Sequence, residues 1–133
     1  MVQDDEIIDW FKELGMKVER GKEGGFYFYI NVSPPVGEGP AVAIIRPNSN
    51  AKYYIITMIL EIDQSKLDDK IIKQISVELA RMNVEVYMTP PDKPKRIQIA
   101  KLLFTDGLTK NELLNAVTLV KNASFLVYNL LYY

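Results

Sequence analysis

Two carboxylates near the middle of the chain have a spacing that a divalent metal ion could use. Glu61 and Asp63 end a long apolar segment and are separated by one residue. Alternate residues of a β-strand point to the same face, so both side chains are expected on one face. Carboxylate oxygens are the ligands that Mg²⁺ prefers in proteins. We favour the alternative, in which both are solvated carboxylates at a strand end, and predict no metal site.

A basic cluster later in the chain is the second group with recognisable chemistry. Lys93, Lys95 and Arg96 lie close together, and Tyr87 precedes them on a predicted strand. Cations beside an aromatic ring can bind single-stranded nucleic acid. The chain as a whole has a net charge of −1 and therefore offers no basic field to a polyanion. We favour a solvated loop that keeps the sheet edge from pairing, and do not expect a nucleic-acid partner.

Cysteine and histidine are both absent from the sequence. Their absence excludes disulfides, zinc fingers, thiol nucleophiles and serine–histidine triads. Catalysis would have to use carboxylates, lysine, tyrosine or a metal bound by oxygen atoms alone. We predict no catalytic residue and no cofactor, and expect a protein that is not an enzyme.

Tyrosines on two predicted strands indicate a contact surface. Tyrosine offers a large contact area at low entropic cost and is enriched in interfaces. The alternative is that the rings cover the second face of the sheet. The last helix is also more apolar than one buried stripe requires, which favours a partner. The predicted interface residues are Tyr29, Tyr53, Tyr54, Met58, Leu126 and Leu130.

Hydrophobic periodicity predicts the elements that position these side chains. The predicted helices are Asp4–Leu14, a second from Asp63 or Ser65 to Asn83, and a third from Lys110 nearly to Tyr133. The predicted strands are Phe26–Val32, Ala41–Arg46, Tyr53–Ile62, Val84–Thr89 and Arg96–Phe104, and residues 16–20 can form a further short one. The strand Tyr53–Ile62 is apolar on both faces, which is typical of a central strand.

These elements predict a single α+β domain over residues 1–133. Their order is α-β-β-β-α-β-β-α, with a mostly antiparallel five-stranded sheet and helices packed on one face. A chain of 133 residues has the length of one ordinary domain. The surplus apolar surface predicts homodimerisation through the sheet or a helix.

Composition also bears on location. The first residues are acidic, which is the wrong sign for a signal peptide, and no run of about 18 apolar residues occurs. We therefore expect a cytoplasmic protein without a membrane-spanning segment. Abundant isoleucine, lysine and glutamate without cysteine are typical of a thermophile.

The whole chain resembles the fold of the type III secretion chaperones, and is also similar to an archaeal family of uncharacterised proteins with that fold. The resemblance rests on the helix Asp4–Leu14, the strands Phe26–Val32 and Tyr53–Ile62, the Pro90–Pro94 connection and the capping box Thr109-x-x-Glu112. It implies a homodimer that holds an extended segment of another protein. No individual functional residue transfers with it, and neither does a secretion role.

The element order also resembles the core of the PD-(D/E)xK nucleases. Those enzymes place an acidic residue two positions before a lysine, whereas Glu61 is followed by Ile62 and Asp63. A metal-dependent nuclease or phosphoesterase that uses Glu61 and Asp63 is therefore an alternative function, as is single-stranded nucleic-acid binding. The leading hypothesis is a non-enzymatic, homodimeric protein-binding or chaperone-like module.

Overall fold

The computed structural model describes residues 3–21, 24–34 and 41–133. The α-helices of these residues are α1 (Asp4–Glu13), α2 (Asp69–Arg81) and α3 (Lys110–Tyr132). The strands are β1 (Lys17–Arg20), β2 (Phe28–Ser33), β3 (Val42–Arg46), β4 (Tyr53–Glu61), β5 (Glu85–Thr89) and β6 (Arg96–Phe104). Within the same ranges, no helix is both long and apolar enough to cross a membrane.

The strands form one six-stranded sheet in the order β1-β2-β3-β4-β6-β5. The pairs β1–β2, β2–β3 and β5–β6 are antiparallel. The expectation of five strands was one too few, because Lys17–Arg20 forms the edge strand β1. Three of its four residues are charged, so it lacks the apolar alternation that marks a strand. The central position expected for Tyr53–Ile62 is confirmed, since β4 lies between β3 and β6.

Contacts divide the chain into two compact units. The first unit consists of Met1–Ile56 and Leu102–Val117, and the second of Thr57–Lys101 and Thr118–Tyr133. Consequently β4, β6 and α3 each contribute residues to both units. The single domain over residues 1–133 stays a prediction.

The core of the first unit lies between α1 and the sheet. Ile7 and Phe11 of α1 are buried one turn apart, and Phe28 and Ile30 of β2 are buried at alternate positions. The helix begins at Asp4, the first residue of the predicted range Asp4–Leu14. Gln3 is the N-cap, and it forms a capping box with Glu6. Asp4 is thus inside the first turn, where the helix dipole favours a carboxylate.

The second helix begins later than the sequence predicts. Asp63 accepts a hydrogen bond from the backbone N–H of Ser65, but it caps only a short 3-10 helix, Gln64–Lys66. The α-helix starts after Asp68, whose side chain accepts a hydrogen bond from the Ile71 N–H at 2.7 Å. Asn83, with φ of 58°, follows the helix end as expected.

The last helix is confirmed over almost its full predicted length. It begins at the predicted cap, where Thr109 Oγ1 accepts a hydrogen bond from the Glu112 N–H at 3.2 Å. Its buried face includes Leu113, Val120 and Val127. Further apolar side chains of α3 remain on the surface, and Phe125 exposes 53% and Tyr128 47% of their area.

Candidate functional site

In the described part of the first unit, one face of the sheet is apolar and carries no helix. Tyr29 of β2 pairs with Ile45 of β3. The Thr105 N–H donates to the Lys52 oxygen at 2.9 Å, so in the antiparallel ladder Tyr53 lies opposite Phe104 and Ile55 opposite Leu102. The six residues that share this surface, called the open face below, are Tyr29, Ile45, Tyr53, Ile55, Leu102 and Phe104.

The helices of the first unit lie on the opposite face of the sheet. The side chain of Asp4 at the start of α1 pairs with Arg46 at 3.5 Å, and Arg46 alternates with Ile45 along β3. Lys110 Nζ lies 3.1 Å from Glu13 Oε2, which places the start of α3 beside the end of α1. The described helices of the first unit therefore cover that side, and the open face is the opposite one.

Exposure along the open face increases towards β6. Ile45 exposes only 9% of its area, and Tyr53 and Ile55 are half-buried. Leu102 exposes 36% and Phe104 70%. A large aromatic ring that is mostly in water beside other apolar side chains is typical of an interaction surface.

A polar cluster joins α1 to the sheet on the covered face. The Tyr54 hydroxyl donates a hydrogen bond to Asp4 Oδ1, and Arg46 pairs with the same carboxylate. Burial raises the pKa of the Tyr54 hydroxyl, and the hydrogen bond to Asp4 raises it further. Arg46 also donates to the backbone oxygens of Ala51 at 2.9 Å and Ser49 at 3.1 Å. Every polar atom of this cluster is therefore engaged in holding the fold.

The structure separates the six predicted interface residues. Tyr29 and Tyr53 lie on the open face and are half-buried. Leu126 and Leu130 are half-buried on α3 of the second unit. The choice of the other two is corrected: Tyr54 is wholly buried and Met58 exposes only 6% of its area. Both belong to the core, because they alternate with Tyr53 along β4 and so point to the covered face.

Sequence reasoning missed the two most exposed apolar residues of the open face. Leu102 and Phe104 share one face of β6, whereas Ile97 and Ile99 are buried on the other. The alternation was readable in the sequence. However, nothing in it distinguishes an exposed apolar face from a buried one.

The two carboxylates with metal-site spacing have separate partners. Glu61 pairs with Arg96 at 2.8 Å. Asp63 accepts hydrogen bonds from the Ser65 hydroxyl at 2.7 Å and from the Ser65 N–H at 3.0 Å, and these bonds lower the pKa of its carboxyl. In residues 3–21, 24–34 and 41–133, no three acidic side chains come together as a metal site.

The basic cluster lies around the turn between β5 and β6. The Lys95 N–H donates to the Thr89 oxygen at 2.9 Å and so closes the turn. Arg96 is engaged by Glu61. The Tyr87 hydroxyl donates to Glu85 on the same strand, which places a carboxylate beside the ring predicted to stack on bases. The surroundings of these cations are therefore acidic in part.

The element order and the six-stranded sheet define an α+β protein, and two solved structures share its fold. A protein of unknown function from Methanothermobacter thermautotrophicus aligns with a TM-score of 0.81 at 20% identity, covering 97% of this chain and 96% of that one. YbjN from E. coli, a proposed transcription regulator, aligns with a TM-score of 0.55 at 12% identity, covering 92% and 88%.

Residues 3–131 match the family model described as "Uncharacterized conserved protein (DUF2299)". The chain belongs to this family, and the predicted resemblance to a family of uncharacterised proteins is confirmed. A search of curated proteins finds no significant match.

Proposed function

We propose that this protein is a non-enzymatic, homodimeric protein-binding module whose open face holds an extended segment of another protein. The observation that carries the proposal is the exposed apolar surface around Phe104 in the first unit. The surface is made of aromatic and aliphatic side chains on a sheet, so it is rigid before it binds.

The energetics of covering this surface favour a partner. Phe104 exposes 70% of its area, which corresponds to about 100–170 Å² of apolar surface for an aromatic ring. Removing that area from water contributes roughly 3 kcal/mol. Leu102 and the neighbouring Tyr53 and Ile55 add to it. The total free energy gained by covering these side chains can support binding, but it is too small for tight binding by itself. It therefore favours transient binding of a segment.

The chemistry of the face selects an extended apolar segment. Apart from the tyrosine hydroxyl groups, its six side chains offer contact area without a charge that would select a specific ligand. Side chains of an extended peptide alternate between two faces, so every second residue can reach the sheet. Apolar residues at alternate positions are therefore the expected recognition pattern.

The test is suppression of aggregation by the full-length chain. Reduced insulin provides an unfolded apolar probe, and its aggregation is followed by light scattering. We expect the wild-type chain to slow aggregation at several molar equivalents, and Phe104→Glu to lose most of that effect. The phenylalanine is already 70% exposed, so the substitution should leave the far-UV spectrum and the melting temperature almost unchanged.

Phe125→Glu is the matched control. Phe125 exposes 53% of its area on α3 of the second unit and is not one of the six residues of the open face. It should behave as wild type. If the wild-type chain leaves the scattering unchanged, or if Phe104→Glu suppresses aggregation as well as wild type, the open face does not carry the function.

A further inference from the structure

The outer edge of β1 has features of a self-complementary strand. Lys17, Glu19 and Arg20 are exposed and Val18 is half-buried. Among the described strands, β1 pairs with β2 alone and stands at the end of the sheet order. An edge strand offers backbone N–H and C=O groups to another chain.

The hydrogen-bond pattern shows which residues face outwards. The Gly21 N–H donates to the Tyr29 oxygen at 2.9 Å, and Lys17 pairs with Ser33 in the same antiparallel register. Bonding groups alternate in direction along such a strand. Lys17 and Glu19 therefore direct their N–H and C=O groups to β2. Val18 and Arg20 direct theirs to the outer edge.

Only one register of β1 against a second β1 is favourable. When two copies of β1 pair antiparallel about a two-fold axis, the axis passes beside one residue of the strand. The residues that direct their N–H and C=O groups to the outer edge must then pair with each other. An axis at Lys17, Glu19 or Arg20 places that residue opposite its own copy, and like charges directly opposite are destabilising. An axis at Val18 instead forms two equivalent pairs, in each of which Lys17 of one copy lies opposite Glu19 of the other. It also lets the N–H and C=O of Val18 bond reciprocally.

We propose that a second copy of this chain pairs with β1 in this register, with the two-fold axis at Val18. The inference deepens the proposed function, on which it rests, by assigning the dimer to the strand edge. The open face of each copy is then left for the bound segment. Lys17 and Glu19 lie on the same side of β1 as the open face, because their partners in β2 alternate with Ile30 and Val32.

The helix side of the edge leaves room for the second copy. A cleft of about 260 Å³ lies between α1 and β1 and is lined in part by Ile8 and Val18. Both side chains are half-buried. In the proposed pair, Val18 meets Val18 of the second copy, which extends this apolar contact across the axis. Acidic Asp5 and Asp9 and basic Arg20 line the same cleft, so each copy offers both signs of charge.

The test is a charge exchange measured by sedimentation equilibrium on the full chain at low ionic strength. Lys17→Glu places Glu opposite Glu twice, and Glu19→Lys places Lys opposite Lys twice. Each single variant should raise the dimer dissociation constant about 10- to 30-fold, from two lost attractions and two new repulsions per dimer. The double variant K17E/E19K restores opposite charges and should return the constant to within about threefold of wild type.

Lys73→Glu controls for the change in net charge. Lys73 is an exposed residue of α2 in the second unit, and its variant changes the charge by the same amount as Lys17→Glu. It should leave the dissociation constant unchanged.

The outcomes separate this inference from the proposed function. If neither single variant changes the dimer dissociation constant, pairing through β1 is wrong, and the homodimer must form through another surface. Single variants that weaken the dimer without rescue in K17E/E19K overturn the register at Val18. A wild-type chain that stays monomeric at all concentrations overturns the inference entirely, while the insulin experiment still judges the open face on its own.

Discussion

The Tyr54 hydroxyl donates a hydrogen bond to Asp4 Oδ1, fifty positions earlier in the chain. Arg46 pairs with the same carboxylate, and the Tyr54 side chain is wholly buried. One carboxylate at the first turn of α1 thus connects the helix to two strands. A partly buried charge depends on its partners for compensation, so this relationship makes the cluster sensitive to small changes.

Removing the Tyr54 hydroxyl should destabilise the fold. We expect Tyr54→Phe to lower the free energy of unfolding by about 1–2 kcal/mol, because the partly buried Asp4 carboxylate loses a hydrogen bond. Urea denaturation measures the change. Tyr87→Phe makes the same chemical change at a tyrosine that exposes 51% of its area and donates to Glu85. It should be neutral within error, and equal effects of the two substitutions would contradict the role of the buried cluster.

Alkaline pH should weaken the fold through the same residue. Burial and Asp4 raise the pKa of Tyr54 in the folded state, while in the unfolded chain it keeps its ordinary value of 10.0. Above about pH 10 the unfolded state therefore loses the proton that the folded state retains, and stability falls as pH rises towards the folded pKa. Below pH 10 the contribution is fully present.

The measurement is urea denaturation from pH 8 to pH 11. The wild-type chain should lose stability more steeply above pH 10 than Tyr54→Phe does. Parallel curves for the two proteins would show that Tyr54 does not carry the alkaline dependence.

Gly21 should resist substitution because of a neighbouring ring. A Cβ atom at this position would lie 2.3 Å from atoms of the Tyr29 ring. We expect Gly21→Ala to cost about 1–3 kcal/mol, the usual range for overpacking. In a Tyr29→Ala background the same substitution should cost much less, and a double-mutant cycle measures this coupling. Gly24→Ala, with no atom within 4 Å of its Cβ, is the control and should be nearly neutral.

The start of α2 depends on one side chain. The Asp68 carboxylate accepts a hydrogen bond from the Ile71 N–H at 2.7 Å. Asp68→Ala should lower the free energy of unfolding by about 1 kcal/mol, the typical cost of losing an N-cap. Asp69→Ala removes the adjacent carboxylate, which lies within the helix, and should cost only a few tenths of that amount. Equal losses in thermal denaturation would argue against capping by Asp68.

Sequence patterns predicted the strands with clear alternation and failed where the pattern was absent. β4 and β6 were found because apolar residues recur along them, and α3 because Thr109 and Glu112 mark its start. Strand β1 could not be predicted with certainty, since its stability comes from pairing with β2 and not from its own side chains. The start of α2 was predicted too early at Asp63, because a capping aspartate can begin a 3-10 helix as well as an α-helix.

The candidate site was predicted only in part, for a physical reason. Tyr53 and Tyr54 are adjacent and identical, and strand geometry puts them on opposite faces. The sequence does not record which face the helices cover. The hydrogen bond from Tyr54 to Asp4 of α1 shows that the face of β4 that carries Tyr54 is the one the helix covers. Such a contact between positions so far apart has no local signal.

The division of the chain sets an order of events during synthesis. The segment Met1–Ile56 leaves the ribosome before Leu102–Val117, the segment that completes its unit. Thr57–Lys101 must emerge in between, and they in turn require Thr118–Tyr133. The apolar strands of the early segment therefore lack part of their unit until Leu102–Val117 has been translated. For that interval, the nascent protein itself presents the kind of extended apolar segment that chaperones bind.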